Sequence, residues 1–274
     1  GLEVRAEDVI VAGASINNAD ISVLGTTAGS DVAMVDADGG SITNITVVAD
    51  GVLADVSATG DIDGLNVRAD DTQIDGDNVQ NGFVTVLGAV GDADIWANGA
   101  TTGVISGLTI VSANTVSLDA TTDVVNSTVD AVGDVVVGTA ATVADVSGLL
   151  VETDGLIDIN ATAEVVNSDF NAGSDDADTV TIGSGGTNVT RVSGVTADAG
   201  GQIDVWSSGD IEGSTFTTTD DNEDEGVKLD AGGAIVDTTV VAETGEADVD
   251  ADGAIEGLEV RAEDVIVAGA SINN

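Results

Sequence analysis

The side chains in this chain that could do chemistry are almost all carboxylates. Asp and Glu number 50 against five Lys and Arg, the formal charge is −45, and His, Cys and Tyr are absent. That inventory leaves no imidazole base, no thiol nucleophile, no Ser-His-Asp triad and no thiolate metal site. Without such partners, carboxylates and loop carbonyls can hold hard cations, and Ca2+ is the ion they suit. Paired carboxylates also serve glycoside hydrolysis, but among 50 acids pairs are numerically unavoidable and carry no argument. A polysaccharide lyase would need basic residues converging on a carboxylate-lined groove, and the five here are scattered. The expectation is that the chain is not an enzyme.

The sharpest spacing is Asp248-x-Asp250-x-Asp252-Gly253, followed by Ile255 and Glu259. Position by position it is similar to an EF-hand loop, with acids at 1, 3 and 5, Gly at 6 and Glu at 12. Its flanks alternate like strands, where an EF-hand needs helices, and side chains on an extended strand cannot wrap one ion. Asp220-Asp221-Asn222-Glu223-Asp224-Glu225 is a second acidic run, read first as a solvated protruding loop and otherwise as a Ca2+ or inter-fibre contact. The candidate cation ligands are therefore Asp248, Asp250, Asp252, Asp220, Asp221 and Asp224. No cofactor is required; Ca2+ or other counter-ions are what this set would bind. Sequons for N-glycosylation stand at Asn44, Asn126, Asn160 and Asn188.

A charge of −45 excludes nucleic acid as a direct partner, because nothing here could neutralise phosphates. Anionic lipid surfaces are excluded on the same ground. Self-repulsion at this density is large unless salt screens it or cations bind. Two settings fit: concentrated salt, as for halophile proteins, or a Ca2+-rich extracellular matrix. No apolar run approaches the roughly 18 residues that would span a bilayer. No signal peptide stands in the segment, so an export signal is expected elsewhere if the chain is secreted.

Strands must carry these acids. Hydrophobic residues make up 42% of the chain but aromatics only 2%. Such a core, built of Val, Ala, Ile and Leu, suits a thin cross-section filled repeatedly rather than a thick globule. Thirty-six Gly and no Pro mean many turns and no strand that has lost an N–H. Split after Gly and Asn corners, the chain falls into units such as LNVRADDTQIDGDNVQNG (65–82), LLVETDGLIDINATAEVVNS (149–168) and TVVAETGEADVDADGAIEG (239–257). Each opens on an alternating strand (Leu65, Val67, Ala69), turns through acids or Gly, and alternates again (Ile157, Ile159). A brief third strand follows with one inward Ile, as at Ile16, Ile62 and Ile211. Period-two patterning with β-branched residues specifies strands. The closing Asn or Gly, as at Asn126, Gly148, Asn167 and Gly194, tolerates the positive φ of a sharp corner. Some twelve units of about 21 residues demand a solenoid.

Three short strands per coil resemble the right-handed parallel β-helix of filamentous-haemagglutinin-like adhesins and pectin lyases. The resemblance covers all 274 residues but lies in the coil pattern. It implies an all-β fold and carries over no functional residue. In such a helix equivalent positions stack, so Asp158, Asp204 and Asp248 should share one outward column and Asp119, Asp230 and Asp250 another. Like charges would then neighbour one another at a cost. These columns read either as a solvated acidic face or as specific Ca2+ sites at a few turns. Trp96 and Trp206 should point outward on the second strand, as incidental surface, a lateral contact or a sugar platform. Arg5 and Arg68 should compensate nearby acidic turns.

Residues 1–18, GLEVRAEDVIVAGASINN, recur letter for letter as 257–274, an offset of 256 (257 minus 1). The expectation is a single continuous solenoid over 1–274: one full period, 1–256, of a tandem array, then the start of the next copy, 257–274. Twelve coils at about 4.8 Å each predict an axial repeat of about 57 Å. Arrays of near-identical units extend rather than catalyse. The expected function is a structural repeat unit of an extracellular filament or cell-surface stalk. Its partner would be itself, stacked end to end, with lateral fibre contacts or glycans and no insertion into membranes. The alternative is an adhesin, a glycan- or cation-binding module using the long coils 20–44, 83–107, 169–194 and 215–238.

Overall fold

The computed structural model describes residues 2–23, 32–139, 143–183, 189–219 and 226–273. These hold strands and turns, and among them no helix is long and apolar enough to cross a membrane. The fold is an all-β parallel solenoid in two compact units, residues 1–133 with 138–141 and residues 134–137 with 142–274.

In the first unit, one face stacks Leu2–Ala6 on Ala19–Val23 and continues through 45–49, 65–69, 82–86, 108–112 and Thr128–Ala131. A second face stacks Val9–Gly13, Val32–Ala37, 53–58, 72–76, Ala93–Ala97 and Val116–Ala120. A short third face runs from Ile16–Asn17 to Asp123–Val125. The second unit has the same three faces. They run from Leu150–Thr153 to 259–262, from Val135–Val137 to 265–269, and from Asp145–Ser147 to 272–273.

Register sets coil length. Leu2 pairs with Ala19 across a short coil, whereas Asp169 pairs with Thr196 across a long one. Extra residues leave the ladder as turns. The strands are not always three short pieces, because Ile42–Ala58, Ile62–Gly76 and Thr239–Glu256 run through corners. Register shifts between Ala49 and Leu53 and between Ala242 and Glu246 mark the bends. A bulge turns the chain while most of the backbone stays paired.

Alternation drives the core. Ile157, Ile159, Ile203, Val205, Ile211 and Ile235 are all fully buried, as the period-two pattern requires. Phe170 and Phe216 are the largest fully buried side chains, and Ala197 is the ladder partner of both. A large residue facing a small one lets stacked layers interdigitate at native density.

Candidate functional site

From Val32–Ala37 to Val116–Ala120, two outward columns on the second face of the first unit carry one carboxylate per coil between them, in alternating positions. Along one outward column the ladder reads Met34, Asp55, Gln73, Asp94, Ser117. Along the neighbouring column it reads Asp36, Ser57, Asp75, Trp96, Asp119. The result is a checkerboard in which no carboxylate has another as its direct cross-strand neighbour. Acids in one column are separated by two strand spacings, about 9.6 Å, and diagonal ones by about 8 Å. Those distances are comparable with the Debye length of about 8 Å at physiological salt, so screening removes much of the residual repulsion.

Proton affinities follow this geometry. Burial pushes the Asp55 carboxyl above its ordinary range, and Asp36 and Asp75 push it further. Asp94 is raised by burial and then by Asp92, Asp71 and Asp119. The same acids order the turns: Asp71 accepts the Asp92 N–H at 3.1 Å, and Asp92 accepts from the Asn114 amide at 2.9 Å and from the Thr115 hydroxyl. Asp119 is buried and accepts a hydrogen bond from the Thr139 hydroxyl.

In the second unit, Asp158, Asp204 and Asp248 do share a column, but they are not neighbours. The ladder reads Asp158, Thr181, Asp204, Lys228, Asp248. A hydroxyl and the chain's one lysine separate the acids, which corrects the expectation of adjacent like charges there. Asp230 and Asp250 are direct partners. Burial raises both Asp158 and Asp204, opposed by Asn160 at the first and by Lys228 and Gln202 at the second.

Of the six candidate cation ligands, Asp248, Asp250 and Asp252 lie on one strand, Thr239–Glu256, with Val249 and Ala251 buried between them. Alternate residues on a strand stand about 6.6 Å apart, so the three point outward side by side instead of around a centre. Glu259 lies on the first face of the next coil and bonds Arg261 at 2.6 Å. Among the described residues no three carboxylates converge as a metal-holding group. Asp220, Asp221 and Asp224 lie outside the described residues.

Asn44 and Asn126 are exposed corner residues with φ of 52° and 49°. The Asn44 side chain lies against the next coil, its Oδ1 2.5 Å from where a β-carbon on Gly64 would stand. Asn160 is half-buried two residues from Asp158 on the same coil, where it favours the charged form of that carboxyl against burial. Asn188 lies outside the described residues. Trp96 and Trp206 are half-buried on the outward side of the second face. Trp96 stands between Asp75 and Asp119, and Trp206 beside Asp230. Arg68 meets the Asp50 turn at 3.0 Å, while Arg5 pairs with Glu3 on its own strand at 3.1 Å.

Sequence reasoning missed the hydroxyls next to the corners. Ser127, Ser168 and Ser214 are buried, each one residue after a positive-φ corner. Their Oγ atoms accept the N–H of Leu108, Leu149 and Val195 in the preceding coil at 3.2–3.3 Å. Each hydroxyl also donates to the carbonyl two residues before it, at 2.9–3.2 Å. Corners of the Asn-Ser or Gly-Ser kind thus alternate with Gly-Leu or Gly-Val corners that they satisfy. The signal was present in the recurrent VVNS of 124–127 and 165–168 set against VSGL and VSGV at 146–149 and 192–195. It becomes a hydrogen-bond rule only once successive corners are stacked. With this geometry in view, no protein-family model, no curated protein and no solved structure matches the chain.

Proposed function

We propose that the chain is a structural repeat unit of an extracellular filament or cell-surface stalk. One observation carries this reading. The recurrent segment folds as one more coil, pairing Val240 with Val260, Val249 with Val267 and Ile255 with Ile272, in continuous parallel ladders with the coil before it. A fold in which every coil is both template and support for the next is suited to extension. The outward acids, spaced by hydroxyls, amides, Trp96 and Lys228 except where Asp230 meets Asp250, keep such a surface hydrated and coated with counter-ions, Ca2+ among them. On this reading the chain has no catalytic role, its partner is itself, and it resembles adhesin-type β-helix proteins in architecture.

Electron microscopy of the assembled protein tests the proposal. Filaments with one axial spacing of about 4.8 Å and another of about 57 Å, twelve coils at the strand spacing, support it. Discrete particles lacking both spacings overturn it. A second reading, a glycan-binding adhesin, draws on Trp96 held between Asp75 and Asp119. An indole face with hydrogen-bonding groups beside it suits a sugar ring, and glycan-array binding lost in Trp96→Ala is its test.

A further inference from the structure

The second face of the second unit holds a small polar pocket. Gln202, Gly226, Val227, Lys228, Glu246 and Asp248 line it, and its volume is about 140 Å3. Register explains the hollow. Gly226 is the ladder partner of Glu246, and Val227 is the partner of Ile203, the residue after Gln202. The long side chains of Gln202 and Glu246 therefore flank a residue that has none. The gap cannot be filled from below, because a β-carbon on Gly226 would collide with the Glu246 carbonyl oxygen. Beside the gap, Lys228 stands between Asp204 and Asp248 in their column. It is exposed, and the ion pairs among the described residues all use an arginine instead. Gln202 donates from Nε2 to Asp204 Oδ1 at 3.0 Å, which holds its amide in place and leaves a second N–H to offer.

We propose that this pocket binds one ring of a neutral linear glycan, with Trp206 as the platform for the next ring. The inference goes beyond the filament reading, stands whether or not chains assemble, and uses none of the residues of the Trp96 reading. Donors, the Gln202 amide and the Lys228 ammonium, here adjoin acceptors, the Glu246 and Asp248 carboxylates. A hydroxyl both donates and accepts, so vicinal hydroxyls on a sugar ring satisfy both sets at once. Bonds to ionised partners are the stronger class. Other ligands fit less well. A bare cation would meet the Lys228 ammonium among its ligands, and an anion would meet Asp204, Glu246 and Asp248 with one ammonium to offset them. A cavity of roughly 150 Å3 admits a single six-membered ring, so one sugar enters and its neighbour must lie outside. Trp206 is the next outward residue after Asp204 on the strand Ile203–Glu212, and it stands diagonally from Lys228 at about 8 Å. Its half-buried indole offers an apolar face to the C–H side of a second ring. A zwitterionic amino acid could engage Lys228 and Glu246 but would leave that indole unused.

The chain has two tryptophans, so Trp96→Phe leaves Trp206 as the only indole and its fluorescence reports this site. In that background the full chain is titrated with neutral linear tetrasaccharides of glucose, mannose, galactose and N-acetylglucosamine. Tetragalacturonate, glycine and calcium chloride are the contrasting probes. A saturable change in Trp206 emission is expected with at least one neutral tetrasaccharide. Its affinity should fall about tenfold or more in Lys228→Met and in Glu246→Gln, each of which removes a charge-assisted bond. Circular dichroism checks the fold of both variants, and the isosteric Glu246→Gln decides if Lys228→Met does not fold. No response to any neutral tetrasaccharide overturns the proposal, as does binding that the folded variants leave unchanged. Saturation by glycine, tetragalacturonate or Ca2+ alone also overturns it and reassigns the pocket to a zwitterion, an anion or a cation.

Discussion

Phe170 and Phe216 occupy the same inward position two coils apart, with Ala197 between them as the ladder partner of each. All three are fully buried. The core of the second unit is therefore tuned by alternating volume as well as by hydrophobicity, and that sets the first expectation. Ala197→Leu should destabilise by about 1–3 kcal/mol through overpacking, and Phe216→Ala by about 3–5 kcal/mol through the cavity it leaves. Chemical denaturation of full-length variants measures both. Unchanged stability for Ala197→Leu would mean the layers are not closely packed.

The corner hydroxyls give a second test. Removing the Ser168 hydroxyl leaves the Leu149 N–H, now bonded at 3.2 Å, buried without a partner. Ser168→Ala should cost about 1–3 kcal/mol, while exposed Thr109→Ala should stay within about 0.5 kcal/mol. Equal effects would show that the Ser168 bond adds nothing.

Corner glycines differ in what lies beside them. At Gly194, φ is +63° and an added β-carbon would stand 2.8 Å from Asn167 Oδ1; at Gly213, φ is +56° and nothing lies within 4 Å. Asn occupies equivalent corners at Asn44, Asn126 and Asn167 with φ near 50°. Gly213→Asn should therefore be neutral within about 0.5 kcal/mol, and Gly194→Asn should cost about 1–3 kcal/mol from crowding. Thermal melts of the pair decide it, and the reverse order would refute the stacked-corner account.

The raised carboxyls Asp55, Asp94, Asp158 and Asp204 predict an unusual pH response. A carboxyl whose native pKa is raised holds its proton when the unfolded chain has already lost it. Its contribution to stability is thus fully present below the unfolded value, near 3.8, and is lost as pH rises through the native value. At low ionic strength the melting temperature should be higher just above pH 4 than at pH 7. The Asp55→Asn and Asp94→Asn variants should narrow the gap by removing a carboxylate that burial disfavours, and added salt should narrow it less, by weakening only the smaller part that neighbouring acids contribute at these two positions. A melting temperature that falls monotonically on acidification to pH 4 would contradict this.

Much of the fold was legible because strand alternation and the corner residues are local properties. Ile157 and Ile159 had to face one way and Asp158 the other, and Asn167 and Gly194 announced corners by their tolerance of positive φ. The exact recurrence of 1–18 as 257–274 was likewise plain in the letters. Neighbours across coils were not legible, because coil length varies, from the short coil that sets Leu2 on Ala19 to the long one that sets Asp169 on Thr196. Spacing along the chain therefore does not state which residue stacks on which. Only the parallel register placed Thr181 and Lys228 between the acids of one column, staggered Asp36, Asp55, Asp75, Asp94 and Asp119 into a checkerboard, and laid the EF-hand-like acids out along one strand. It also bonded Ser168 to Leu149. Composition and periodicity determined that this chain coils, while the energy of packing and charge between coils was decided by stacking that exists only in three dimensions.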